Sequence, residues 1–181
     1  MFNSELSNLE AENRRLKDEN AELRRQLDFL ITYPTLAQGL QGEGIVAALT
    51  GGVLTGYGVP HDVLVKSGER IEVKKARVRV EEGGNRRWIW HRLLGKKITK
   101  RYEWLVLVGE KDHIHFEQYP EELPWVFFLV PQARLDAIKS GDNIAISTNL
   151  AKATVPKAVE LKKHLVRSAS TFADLFRNAA P

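Results

Sequence analysis

Residues 59–75 read Val59-Pro60-His61-Asp62-Val63-Leu64-Val65-Lys66-Ser67-Gly68-Glu69-Arg70-Ile71-Glu72-Val73-Lys74-Lys75. Asp62 follows a Gly/Pro turn and opens an alternating run, Asp62-Val63-Leu64-Val65. Lys66-Ser67-Gly68-Glu69 reads as a tight turn, after which Arg70-Ile71-Glu72-Val73-Lys74-Lys75 alternates again. Two alternating runs joined by a short glycine-containing loop predict a β-hairpin. Side chains on a strand alternate faces, so Glu72 and Lys74 share one face, and the hairpin returns Asp62 beside them. Two carboxylates and an ammonium then converge at the mouth of a sheet. Carboxylate oxygens are the ligands a hard cation such as Mg²⁺ takes. The same spacing also suits a solvated hairpin with a charged outer face.

Upstream, Leu40-Gln41-Gly42-Glu43-Gly44-Ile45-Val46-Ala47-Ala48-Leu49 reads as a short helix with Ile45, Ala48 and Leu49 on its apolar face. Glu43 lies near its start and away from that stripe, free to reach toward the hairpin. Glu43, Asp62, Glu72 and Lys74, on helix, strand and strand in that order, resemble the PD-(D/E)XK nuclease superfamily, whose fold is restriction-endonuclease-like. Asp62 resembles the first acidic residue of the motif, with His61 separating it from Pro60. Glu72-Val73-Lys74 resembles the E-x-K half-motif, and Glu43 resembles the acidic residue that many members carry on the first core helix. The resemblance spans about residues 36–150.

The resemblance implies metal-dependent hydrolysis of a phosphodiester in double-stranded DNA. Asp62 and Glu72 are then expected to ligate Mg²⁺ (or Mn²⁺), with Glu43 on a second metal or on a metal-bound water. Lys74 is expected to orient or deprotonate the attacking water, or to offset charge on the phosphorane. A type II restriction enzyme fits this activity, as does a phage, repair or resolvase-type nuclease. A non-catalytic DNA-binding dimer and a structural adaptor are the readings outside catalysis.

Residues 1–31 carry a second signal. Leu9, Leu16, Leu23 and Leu30 recur every seven residues, and the a positions that accompany them are Leu6, Asn13, Asn20 and Leu27. Such a seam predicts a coiled coil, and Asn at a favours a parallel, in-register homodimer. Glu12 can meet Lys17 of a partner, and Glu19 can meet Arg24. The dimerisation residues are therefore Leu9, Asn13, Leu16, Asn20, Leu23, Leu27 and Leu30. No basic region precedes the zipper, which argues against a bZIP reading. Thr32-Tyr33-Pro34-Thr35 reads as a linker, because Pro34 biases Tyr33 away from helix.

Downstream of the hairpin the chain is basic and aromatic. Lys75, Arg77, Arg79, Arg86, Arg87, Trp88, Trp90, His91, Arg92, Lys96, Lys97 and Lys100 are the expected DNA-contacting residues. Cations interleaved with aromatics suit a surface that tracks a phosphate backbone. Alternatively, Trp88 and Trp90 form one core face and the arginines are solvated.

Tyr102–Gly109 and Pro124–Val130 are continuous apolar runs that predict strands buried on both faces. Gln132–Ser140 predicts a helix, residues 142–152 an irregular stretch, and Lys157–Ser168 and Thr171–Asn178 two short helices. The expected class is α/β, a mixed central sheet flanked by helices, with a parallel coiled-coil helix at the N-terminus. The expected division is a dimerisation helix over 1–31, a nuclease-like domain over 36–150 and a helical extension over 151–181.

Composition is permissive. Hydrophobic residues make up 43% of 181, enough for a core, and the net charge of +4 suits a polyanionic partner. Cysteine is absent, which excludes disulfides and thiolate chemistry and suits the cytoplasm. The polar N-terminus and the lack of a long apolar run predict neither a signal peptide nor a membrane span. No phosphate-binding glycine loop is present, and His113 and His115 lack a third zinc ligand.

Overall fold

The structure is a computed structural model that describes residues 2–32, 34–56, 58–93, 100–116, 124–166, 174 and 176, without the side chains of residues 2–8, 26, 29, 30, 35 and 116. The chain divides into two compact units, Met1–Gln38 and Gly39–Pro181.

The first unit is helical. It holds helix α1 (Phe2–Thr32), which covers the heptad repeat, and the first turn of helix α2 (Pro34–Thr50), which from Gly39 onward belongs to the second unit. The expected linker is thus largely helical. Proline is tolerated in the first turn of a helix, where its missing N–H would have had no partner. Pro34 starts α2 for that reason. Leu9, Leu16, Leu23 and Leu27 are all exposed along α1. Arg15 pairs with Glu12 at 2.7 Å and Arg25 with Glu22 at 2.8 Å, both within the helix. Asn20 donates to the Leu16 carbonyl at 2.9 Å. Leu30 lies outside the described side chains.

The second unit is a mixed α/β domain. Its main sheet has six strands in the order β1 (Val53–Leu54), β2 (Val63–Leu64), β3 (Arg70–Ala76), β6 (Trp104–Glu110), β7 (Trp125–Pro131) and β9 (Leu165–Val166). Only β3 and β6 pair parallel; the other neighbours are antiparallel. A parallel pair needs a crossover. Here the chain leaves the sheet through β4 (Arg79–Val80) and β5 (Arg86–His91), which join β8 (Asn143–Ser147) in a three-stranded sheet. Short helices α3 (His113–Phe116), α4 (Leu135–Ile138) and α5 (Pro156–Lys162) complete the domain.

The expected hairpin is present, with Val63 opposite Ile71 and Leu64 opposite Arg70. Gly68 turns it at φ +90, a conformation that a side chain would strain. The core lies on both sides of β6, where Leu105, Val106, Leu107 and Val108 are fully buried. Leu105 and Leu107 join Trp88, Trp90, Phe128 and Ile144 on one face. Val106 and Val108 join Val46, Val63, Ile71 and Val73 on the other. A fully apolar strand is what burial on both faces requires.

Three further expectations are corrected. The apolar face of α2 holds Ile45 and Leu49 as expected, both partly buried against the core, but it is centred on buried Val46 and Ala47, and Ala48 is exposed. Glu43 therefore stands three and four residues before the buried pair, on the same side of the helix rather than away from it. Residues 142–152 are not irregular, since β8 pairs with β5, Ile144 opposite Trp90 and Ile146 opposite Trp88. Lys157–Ser168 is not one helix either: α5 ends at Lys162, and β9 adds an edge strand to β7. Apart from Asp174 and Phe176, the helix expected over Thr171–Asn178 lies outside the described residues. Among the described residues, no helix is long and apolar enough to cross a membrane.

Candidate functional site

The hairpin positions Asp62 through its backbone. Asp62 N–H donates to the Ile71 carbonyl at 2.9 Å, and its own carbonyl accepts from Thr55 N–H at 3.0 Å. Its Oδ2 accepts from Val73 N–H at 2.8 Å. Two of these bonds tie Asp62 to β3, one of them through its carboxylate. Glu72 and Lys74, alternate residues of that strand, share a face as expected, and the Lys74 ammonium pairs with Glu72 Oε1. Their in-register partners on β6 are Leu105 and Leu107. Farther along the same face stands Ala76, within the cluster that holds Trp88. The face is therefore charged at its beginning and apolar at its end.

Glu72 is completely buried. Lys100 Nζ lies 2.8 Å from its Oε2 and 3.6 Å from Asp62 Oδ1. One fully buried carboxylate is therefore flanked by two ammonium groups. Burial pushes the Glu72 pKa up, and Asp62 adds to the rise, against the opposing pull of Lys74 and Lys100. Burial also raises Glu43, followed by the charge of Asp62. Lys74, Glu72 and Lys100 act on Glu43 as well, so the helix carboxyl belongs to the same electrostatic cluster. Burial works to lower Lys100, but its contacts with Glu72 and Asp62 outweigh that, and the net shift is upward.

Tyr102 joins the cluster. Its phenol is pushed up to about 12 by burial first and then by Glu72 and Asp62. His61 has both ring nitrogens buried without a hydrogen-bond partner in the described structure, and burial lowers its pKa.

No family model matches the chain, and no curated protein matches it. What the site can do therefore rests on its own residues.

The sequence assigns Lys100 to DNA contact and Tyr102 to the start of a buried strand, and places neither in the carboxylate cluster. Neither is near the hairpin in sequence. They arrive because β6 pairs parallel to β3 and because Arg101 N–H donates to the Pro60 carbonyl at 3.0 Å. Lys100 stands in a run of basic residues, so its type alone carried no signal.

Among the described residues, no three Asp, Glu or His side chains approach closely enough to enclose an ion. Asp62 and Glu72 share the Lys100 ammonium between them, and two carboxylates are what Mg²⁺ commonly takes from a protein. Three carboxyl groups and two ammonium groups gather here. Asp62 and Glu72 are oxygen donors of the kind a hard divalent cation takes.

The basic segment is more structural than expected. Trp88 and Trp90 are fully buried and donate to the carbonyls of Glu110 (2.8 Å) and Val108 (3.1 Å). Each packs edge-on to Phe128 at 5.8 and 5.9 Å between ring centroids. The expectation that they touch DNA is corrected, since their rings are enclosed by the core. Arg86 is engaged too: its Nε lies 2.9 Å from Asp112 Oδ2, and Asp112 is 1% exposed. Arg87 pairs with Glu81 at 3.1 Å. Lys75 sits 4.0 Å over the Trp125 ring and bonds Gln41. The exposed His91 ring is 2.9 Å from Asn143 Oδ1. Arg77, Arg79 and Arg92 are exposed. Lys96 and Lys97 lie outside the described residues.

Proposed function

We propose that the chain is a metal-dependent endonuclease that hydrolyses phosphodiester bonds of double-stranded DNA as a homodimer. The observation that carries this reading is the convergence of Asp62, fully buried Glu72 and Lys74 on one hairpin, with Glu43 on the helix beside it. Burying an ionisable cluster is costly, and perturbed carboxyl groups gathered in one place mark functional sites.

Asp62 and Glu72 would hold the cation, Mg²⁺ or Mn²⁺, with Glu43 on a second metal or on a metal-bound water. When bound, such an ion polarises the scissile phosphate and lowers the pKa of a coordinated water. The chain does the rest. Val73 N–H fixes one oxygen of Asp62, leaving Oδ1 turned toward the Lys100 ammonium. Lys74 brings positive charge to the site, where it orients the attacking water or offsets charge on the phosphorane. Arg77, Arg79 and Arg92 are free to meet phosphates, and the net charge of +4 favours that approach. The exposed leucines of α1 support the homodimer, since a two-residue seam of this kind is buried by a second helix.

One observation favours a non-catalytic DNA-binding dimer instead. Both Glu72 oxygens already have ammonium partners, as in a purely structural ion network. Supercoiled plasmid with Mg²⁺, and separately with EDTA, decides between them. Cleavage with Mg²⁺ that EDTA abolishes supports the nuclease. DNA retention at low salt with intact plasmid in both supports the binding dimer.

A further inference from the structure

Lys74 pairs with Glu72 Oε1 from two residues away on the same strand. Lys100 comes instead from the segment that leads into β6, and it sits between two carboxylates, 2.8 Å from Glu72 and 3.6 Å from Asp62. Its neighbour Arg101 is tied by its N–H to the carbonyl of Pro60, two residues before Asp62. The backbone under Lys100 is therefore anchored to the turn that carries the acidic residue. Its ammonium occupies the place that a cation shared by Asp62 and Glu72 would take. A lysine carries a compact point charge on a flexible four-carbon stem, so it can leave that place without moving the strand.

We propose that Lys100 is a positioning residue of the site: an internal counter-ion that holds Asp62 and Glu72 together and yields to a divalent cation. This rests on the nuclease reading. Two like charges cannot share one place, so Lys100 sets the concentration at which the cation enters. Among the described residues Lys74 pairs with Glu72 and not with Asp62, so it does not stand between the two carboxylates. Lys100, once displaced, remains within a side chain's reach of the same carboxylates and carries a positive charge available to a phosphate.

The test is calorimetric titration of Mn²⁺, and separately Ca²⁺, into the full-length protein without DNA. The parent is compared with Lys100→Met, which keeps the apolar stem, with Lys100→Arg, which keeps the charge, and with Asp62→Asn. Lys100→Met is expected to bind the cation at least about tenfold more tightly. Lys100→Arg should stay near the parent, and Asp62→Asn should weaken binding. Lys100→Gln carries the same expectation as Lys100→Met and replaces it if circular dichroism shows that variant unfolded. Parental affinity, or weaker, in the folded uncharged variant overturns the counter-ion role and leaves the nuclease reading standing. No binding by the parent or any variant at millimolar cation overturns both.

Discussion

A carboxylate as deeply buried as Glu72 is tolerated only with its charge matched, and Lys74 and Lys100 match it. The same reasoning applies to Asp112, whose oxygens take a hydroxyl hydrogen bond from Thr148 at 2.6 Å and the guanidinium of Arg86. Arg86→Ala leaves that charge without its cation, and unfolding in urea should show a loss of roughly 3 kcal/mol. A surface arginine would cost far less, so a loss under 0.5 kcal/mol, the usual range for a surface substitution, would return Arg86 to the solvated face. Glu103 has a different environment. Arg70 holds its carboxyl down to about 2, chiefly through the side-chain hydrogen bond. An unpaired Glu titrates near ~4.3. A depressed carboxyl stabilises the fold above the unfolded pKa, and that contribution disappears as pH falls toward 2. Glu103→Gln should therefore melt below the parent at pH 7, with the gap closing between pH 4 and pH 2. The convergence of Asp62, Glu72 and Lys74 was legible because a hairpin is local. Lys100 and Tyr102 were not, because a parallel pairing of distant strands brings them in.

Elements make the site stiff. The wall behind β3 is built by Trp88 and Trp90 of β5, packed against β6 where Gly109 lets Trp88 approach. A Cβ added at Gly109 would come within 2.9 Å of the Trp88 ring. Gly109→Ala should cost about 1–3 kcal/mol through overpacking, read as a lower urea midpoint at unchanged slope. A neutral result would show that the tryptophan shifts freely. Periodicity exposed the hairpin, β6 and β7, since their patterns are long or uniformly apolar. It failed for β8. Asn143-Ile144-Ala145-Ile146-Ser147 alternates over five residues only, and its strand character depends on pairing with β5. The two tryptophans show the converse problem. An aromatic between arginines looks alike in sequence whether it faces a base or the core, and only the second sheet decides.

At the scale of the whole molecule, the leucine stripe of α1 is exposed. Leu9, Leu16, Leu23 and Leu27 are 44–67% exposed, and burying a leucine fully contributes about 1.5–3 kcal/mol. A parallel dimer would bury all of them. Two copies of the site would then act on the two strands of one duplex. Deleting residues 1–30 should lower the oligomeric order seen by light scattering and shift plasmid products from linear toward nicked circles. A deletion variant that still dimerises and cuts both strands would place the interface elsewhere. The heptad was legible because it is a strict local repeat, whereas the partner it meets is not written in a single chain. The claim beneath all of this is that the hairpin cluster hydrolyses DNA. Its most direct measurement is single-turnover cleavage of supercoiled plasmid in Mg²⁺ by the parent and by Glu72→Ala, with DNA affinity in Ca²⁺ measured alongside. The expected result is cleavage by the parent, none by Glu72→Ala, and similar affinity for both; full activity in a purified, folded Glu72→Ala preparation, or an inert parent, would contradict it.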